Sequence, residues 1–260
     1  LLKTDLTNAI FDSVAECMTG EVDDGPGIAF SGGIDSCLLA VVCEKLGLKP
    51  ILLTIGFSNS LDIQYSKLIS CKIDVPHLVL EINNDDFLHT SKMILNTIQC
   101  KNTSHIENCI AFHYIAKLAS INGIKTVLTA NGFDELFCGY DKFRSIFSLG
   151  ESNIEKAIED KIVNEQELMK EIGLTTRSFK VRFKQPFLSG KFISISKKIP
   201  MNCKITGSND YLRKHILRKI ALSLDLPSEA VIRRKKAIQY GSLIHKNYRR
   251  IIQAKGQFSY

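Results

Sequence analysis

No stretch of the chain approaches the ~20 consecutive apolar residues that a membrane-spanning helix needs, so no membrane role of that kind is expected. Lys3, Asp5 and Asp12 break up any apolar core at the start, which argues against a secretory signal there. The eight cysteines never form a C-x-x-C pair, which argues against a zinc or iron–sulfur centre. No G-x-x-x-x-G-K-[ST] occurs, so a Walker-type phosphate loop is excluded. Gly25-Pro26-Gly27 lies before the first strand and no third glycine follows at the right spacing, so the dinucleotide fingerprint is excluded too. Internal repeats and low-complexity tracts are also lacking.

What is present is ordinary soluble composition. Hydrophobic residues make up 45% of 260 and charged residues 23%, enough for one large domain or two small ones with a real core. Several cysteines sit within apolar patterns, where cysteine acts as a small hydrophobe, and a reducing, cytoplasmic setting fits them. The formal charge of +7 suits an anionic ligand without choosing among nucleotide, acidic metabolite and nucleic acid.

Periodicity divides the chain in two. Residues 3–19 form an amphipathic pattern with Leu6, Ile10, Val14 and Met18 on one stripe. Short apolar runs at 26–31, 51–56, 77–82 and 125–130 read as strands, and helical patterns at 37–46, 60–73, 84–99 and 105–122 alternate with them. That alternation predicts an α/β fold with a parallel sheet covered by helices on both faces. After about residue 140 the strand signal fades, and 151–172, 209–224 and 240–253 read as helices. The expected organisation is a nucleotide-binding core over 1–140 and a mostly helical part over 141–260 that completes the site. In such folds ligands sit at the carboxyl ends of the strands.

The loop after the first strand reads Ser31-Gly32-Gly33-Ile34-Asp35-Ser36. A glycine pair between a strand and a helix start lets the backbone approach a ligand closely, and the free N–H groups there favour phosphate. Ser31 and Ser36 add hydroxyls, and Asp35 is of the type that holds Mg²⁺. The bland alternative is a capped βα turn with no ligand. After the fourth strand, Thr129-Ala130-Asn131-Gly132-Phe133-Asp134-Glu135 supplies a second glycine-and-acid turn. Asp134 there is the candidate second metal ligand; either acid alone would more often be a helix cap, and the pairing raises the odds.

S-G-G-x-D-S resembles the PP-loop of the ATP pyrophosphatases. With the second turn, the chain resembles the synthetase domain of the asparagine synthetase family. Further matches are Ile55-Gly56-Phe57 with Ser60 and Asp62, Pro186-Phe187-Leu188, Lys214 to Lys219, Leu226-Pro227 with Arg233 and Lys235, and Gln239 to Ser242, the last similar to archaeal members and asparagine synthetase domain-containing proteins. The resemblance spans essentially the whole chain. It implies the HUP-like, adenine nucleotide alpha hydrolase-like fold and an ATP-dependent amide-forming ligase that adenylates a carboxylate, releases pyrophosphate and passes the acyl group to ammonia or an amine.

Carried over by residue, the family implies that Ser31, Gly32, Gly33, Asp35 and Ser36 hold the pyrophosphate end of ATP. Phe30, Ile55, Thr129 and Ala130 would border the adenosine, with Gly132 grouped among the nucleotide contacts. Asp35 and Asp134 would bind Mg²⁺, and Lys235 would reach the phosphates as a fixed cation; these three form the expected catalytic set. Lys214 and Arg218 stand between that role and a solvated helix face. The family's glutamate in G-E-G-S-D-E falls at Asn131, which cannot take a proton, and its serine falls at Phe133. Its E-x-R-x-P-F-L-D reads Arg182 to Ser189 here, without the two acids. The acceptor side therefore reads as rebuilt and more basic, which puts asparagine synthesis itself in doubt.

Residues 1–30 do not hold the family's glutaminase domain. The nitrogen source is then free ammonia or an amine, or a separate glutaminase subunit, or the sequence is a piece of a longer one. A homodimer is left open. Two other readings stay open: a PP-loop enzyme of tRNA thiolation, which would need Cys138 or another cysteine, and an ATP-binding subunit without catalysis. The basic run Arg233 to Lys236 would serve a nucleic acid, but little aromatic interleaving accompanies it, so nucleic acid is the less favoured partner. His113, inside an amphipathic pattern, reads as a satisfied histidine rather than a catalytic one.

Overall fold

The computed structural model describes residues 2–21, 25–98, 102–234 and 236–256. Its first half runs α1 (Leu2–Met18), β1 (Gly27–Ala29), α2 (Ile34–Lys45), β2 (Ile51–Gly56), α3 (Leu61–Ile73), β3 (His77–Glu81), α4 (Asn84–Thr97), α5 (Thr103–Ile121) and β4 (Thr126–Leu128). The second half runs α6 (Phe133–Leu136), α7 (Asp141–Ser145), α8 (Glu151–Thr176), β5 (Arg182–Lys184), α9 (Gly190–Lys197), α10 (His215–Ser223), α11 (Ser228–Ile232), α12 (Ile238–Gly241) and α13 (Ile244–Gly256).

The five strands lie in the order β3-β2-β1-β4-β5, and each neighbouring pair is parallel. The chain winds outward from β1 through β2 to β3, then returns to the other side of β1 for β4. The strand order therefore reverses between β1 and β4, and a crevice opens there at the carboxyl ends, where such sheets bind ligands. The loops after β1 and β4 flank that crevice.

Adjacent residues of a strand point to opposite faces, so each strand feeds two cores. Leu52 and Leu128 pack with α1, α2 and α10, while Leu53 and Val127 pack with α4 and α5. Burying each such side chain contributes about 1.5–3 kcal/mol before entropy is counted. Side chains set several helix starts: Ser60, Asn83, Asn102 and Ser189 accept from backbone N–H groups in the first turns of α3, α4, α5 and α9.

Three boundaries differ from the sequence reading. The sheet gains β5, Arg182–Lys184, from the half expected to be mostly helical. Helix α10 starts at His215 rather than near 209, because Arg213 and Lys214 sit at φ 50° and 54° in the left-handed region. The pattern over 240–253 is broken at Leu243, φ 68°, which separates α12 from α13. Among the described residues no helix is long and apolar enough to cross a membrane.

Candidate active site

The loop after β1 is built to present backbone. Gly32 has φ 70°, and a Cβ there would lie 2.9 Å from Tyr65 O, so both conformation and space require glycine. Gly33 precedes α2 without any side-chain cap, which leaves the helix N-terminus open to an anion. Ser36 stays inside the loop: its hydroxyl donates to Gly33 O (3.2 Å) and accepts from Ser31 N–H (3.4 Å). Arg233 braces the loop from outside. Its guanidinium donates to Ser31 O, pairs with buried Asp62 at 3.1 Å and stacks 4.0 Å over the Tyr65 ring.

Across the crevice, the loop after β4 brings Asp134 to face Asp35. The Lys214 ammonium lies between them, 2.6 Å from Asp35 Oδ2 and 2.5 Å from Asp134 Oδ1. Lys214 is only 1% exposed, so the solvated-face reading of this lysine is overturned. Its left-handed backbone is held by Asp210, whose Oδ1 accepts from the N–H groups of Leu212 and Arg213 and whose Oδ2 meets His215 Nε2 at 2.6 Å. Burial works against the Asp210 charge, but the Arg213 and Thr206 N–H groups and His215 outweigh it and hold the carboxyl down at about 2. Arg218 is buried as well and donates to the carbonyls of Arg213, Leu212 and Val231, so it positions this turn rather than facing solvent.

Beneath the acids lies an aromatic bed. Phe133 stacks on Phe187 at 3.9 Å between ring centroids, with Phe137 and Phe192 against them. The substitution at Phe133 therefore deepens the core and does not reach the acceptor side. Glu135 accepts from Gly132 N–H (2.8 Å) and from the Tyr140 hydroxyl. Burial first, and the Asp134 charge second, push the Glu135 carboxyl up. Burial and the same carboxylates raise the Tyr140 hydroxyl as well.

A second wall of the cleft comes from α5 and α8, which sequence reasoning did not place there. Ser104, His105 and Asn108 on α5 face Lys161, Asn164 and Glu165 on α8. His105 joins the two helices, meeting Asn164 Oδ1 at 3.0 Å and Glu171 Oε2 at 2.8 Å. The Asn131 side-chain amide donates to Glu165 Oε1. The only sequence signal for this wall was the cluster of polar residues at both helices' facing turns, and a charged amphipathic helix ordinarily turns such residues to water.

The cleft encloses about 1320 Å³ counted out to its open mouth. Phe30, Ser31, Gly33, Asp35, Ser36, Thr129, Ala130 and Asp134 all line it, with Lys214, Arg218, Arg233, Arg234 and Lys236 as its cations. Among the described residues, Asp35 Oδ1, Thr129 Oγ1 and Gln239 Oε1 are buried on its lining with no hydrogen-bond partner. Other expected residues fall elsewhere. Ile55 is 2% exposed and packs in the α4–α5 core. Gly32 turns to Tyr65, and Gly132, φ 111°, lies against Phe187 with its N–H taken by Glu135. Lys235 lies outside the described residues.

Arg182 and Lys184 pair with Glu21, and Ser189 caps α9, so this segment does not make the acceptor side basic. Cys138 is fully buried against Met201 with its thiol pushed up to about 12 by burial. His113 is buried beneath Phe179 and off the cleft.

Residues 5–180 match the family model described as asparagine synthase. The chain is 27% identical to a glutamine-hydrolysing asparagine synthetase-type protein of Methanocaldococcus jannaschii, over 91% of this chain and 49% of that one. It is 22% identical to asparagine synthetase B (glutamine-hydrolysing) of Escherichia coli, over 92% of this chain and 45% of that one. The chain thus spans about half the length of these relatives. Among solved structures, NMN synthetase from Francisella tularensis is similar in fold, with a TM-score of 0.51 and 15% identity over 92% of this chain and 77% of that one.

Proposed function

The chain belongs to the asparagine synthase family, an ATP-dependent C–N ligase family, and from that premise we propose that its cleft adenylates a small carboxylate and passes the acyl group to ammonia or a primary amine. One observation carries the reading: an uncapped helix N-terminus and two convergent carboxylates sharing one lysine meet at the strand-order reversal.

ATP would lay its phosphates on the 31–36 backbone, with the base and ribose toward Phe30, Thr129 and Ala130. A carboxylate oxygen of the substrate attacks the α-phosphorus. The bond to the bridging oxygen breaks, and its electron pair leaves with pyrophosphate. Lys214, Arg234 and Lys236 line the cleft and would stand near the leaving group, where fixed cations stabilise the charge that grows. The amine nitrogen then attacks the acyl carbon, and the acyl–oxygen bond breaks with its electrons leaving on AMP.

Asp35 and Asp134 fit a Mg²⁺ ion. Both carboxylates approach one cation, and Asp35 Oδ1 is a buried oxygen with no partner. Mg²⁺ is ordinarily held by one or two carboxylates plus substrate phosphates, and Asp35 and Asp134 would supply the two carboxylates. When bound, it would supply charge neutralisation at the phosphates. Lys235, outside the described residues, is kept as an additional phosphate cation of the same segment.

The thiolation reading has less support, since Cys138 is buried off the cleft with a raised thiol pKa. A separate glutaminase subunit remains one proposed source of ammonia.

The adenylation step is tested with aspartate labelled with ¹⁸O in its carboxylates, followed by a metabolite pool labelled by exchange. Label recovered in the AMP phosphate supports the reading. AMP formed without label contradicts it.

A further inference from the structure

We infer that Gln239 reads the base of the nucleotide and selects a purine with an amino group at its 6-position over one with a carbonyl oxygen there; this deepens the proposed ATP chemistry and rests on it.

Gln239 lies on α12, lines the cleft and is 5% exposed, yet the phosphate chemistry gives it no task. Two contacts fix α12 in place. Ser242 O accepts from the N–H of Phe57, in the loop after β2, at 3.0 Å. Gly241 sits so close to α3 that a Cβ there would lie 2.2 Å from Asp62 Oδ1. The same Asp62 pairs with Arg233, whose guanidinium also reaches Ser31 O. The segment from Arg233 to Ser242 therefore runs from the loop after β1 along the cleft to the loop after β2. With a triphosphate on the 31–36 backbone, the base would lie further along that segment, where Gln239 stands.

The amide itself is held in one orientation. Its Nε2 donates to Ser104 Oγ, in the first turn of α5, at 3.3 Å. Its Oε1 is buried without a partner. One N–H is committed to Ser104, so the side chain keeps a carbonyl acceptor and one further N–H on the same amide. A buried acceptor left unmade is costly, which favours a ligand that donates to it. Ala29, Phe30, Phe112 and Ile238 line the same cleft and supply apolar surface for a flat ring.

An amide meets adenine through two hydrogen bonds at once. The exocyclic amino group donates to the amide oxygen, and a ring nitrogen accepts the amide N–H. Hypoxanthine and guanine carry an oxygen at position 6 instead. With the amide held by Ser104, Oε1 would face that oxygen, and two facing acceptors forfeit the hydrogen bond and repel. A freely turning glutamine would rotate and take either base. Gln239 therefore touches the base, and Ser104 is the positioning residue that fixes which base it accepts.

The test is calorimetric titration of the whole chain with Mg-ATP and with Mg-ITP, whose bases differ along that edge. The wild type should bind ATP about 10–100-fold more tightly, the usual discrimination of one bidentate amide–base pair. Gln239→Leu should bring the two nucleotides within about threefold of each other, by weakening ATP. Ser104 is exposed, so Ser104→Ala leaves the core untouched and frees the amide to turn. There the ratio should fall because ITP binds better, and this variant decides alone if Gln239→Leu does not fold. A wild-type ratio near one, or a ratio unchanged in folded Gln239→Leu, would overturn the inference. A ratio that collapses in Gln239→Leu but holds in Ser104→Ala keeps Gln239 as the reader and removes Ser104 as its orienter. Selective ATP binding without AMP formation from any carboxylate would support this inference while contradicting the ligase reading. AMP formed with ATP and IMP formed equally well with ITP would do the reverse, and binding of neither nucleotide would overturn both.

Discussion

Lys214 Nζ lies 2.6 Å from Asp35 Oδ2 although the two residues are 179 positions apart. The contact ties the loop after β1 to the turn before α10, and through Asp134 it also ties in the loop after β4. Three segments that share no local sequence therefore meet at one ammonium group. The strained turn that delivers it, Arg213 and Lys214 both left-handed, is the kind of backbone that persists only where its surroundings over-determine it.

Removing that ammonium leaves two facing carboxylates without their shared cation. Lys214→Met should cost about 3–5 kcal/mol, the usual loss when one partner of a buried pair is deleted. Urea unfolding measures it. In an Asp35→Asn background the same substitution should cost clearly less, because half the repulsion is gone; an equal cost in both backgrounds would disprove the coupling.

Gly139 is the neighbour that makes room. A Cβ there would lie 1.9 Å from Asp134 Oδ1 and 2.4 Å from Lys214 Cε. Gly139→Ala must push the acid or the lysine aside, and a displacement near 1 Å costs about 10²-fold in rate. The expected result is a loss of that size in kcat/KM with a folded circular dichroism spectrum.

His77 sets an acid limit on the sheet. The Thr54 hydroxyl donates to Phe30 O and so accepts from His77 Nε2, and burial holds the ring down at about 4. Its folded pKa lies below the unfolded value near 6.5, so the unfolded chain binds the extra proton first. His77's contribution is complete above about pH 6.5 and shrinks as pH falls toward about 4. Denaturant midpoints should fall across that window, and His77→Gln should flatten the fall.

Cys138 separates amide formation from sulfur transfer. Burial pushes its thiol up to about 12, and its sulfur lies 3.9 Å from the Met201 thioether. Cys138→Ala should keep turnover within about threefold, since a buried structural thiol contributes packing rather than reactivity. Loss of all turnover with the fold intact would favour the thiol chemistry.

Much of the sheet could be read from the chain because β1 to β4 are short apolar runs bounded by turns, and alternation with helices dictates parallel order. The conformation of the loop after β1 was equally legible, since Gly32 and the uncapped start of α2 are local features. β5 was not: Arg182-Phe183-Lys184 is three residues long with a charge at each end, too brief for a period-two signal. Glu165 and Lys161 were hidden for a different reason. They sit on a charged helix whose polar side normally faces water, and only the packing of α8 on α5 turns them inward. Lys214 looked like part of the α10 face, but the left-handed turn before that helix redirects it to the acids. Ile55 is buried in the α4–α5 core and does not line the cleft.

The most direct test of the ligase reading is ³¹P NMR of the products from Mg-ATP, aspartate or a metabolite carboxylate pool, and ammonium chloride, for wild type and Asp35→Ala. AMP and pyrophosphate that depend on the carboxylate and vanish in Asp35→Ala are the expected result. ADP and phosphate from the wild type, or AMP and pyrophosphate undiminished in Asp35→Ala, would contradict it.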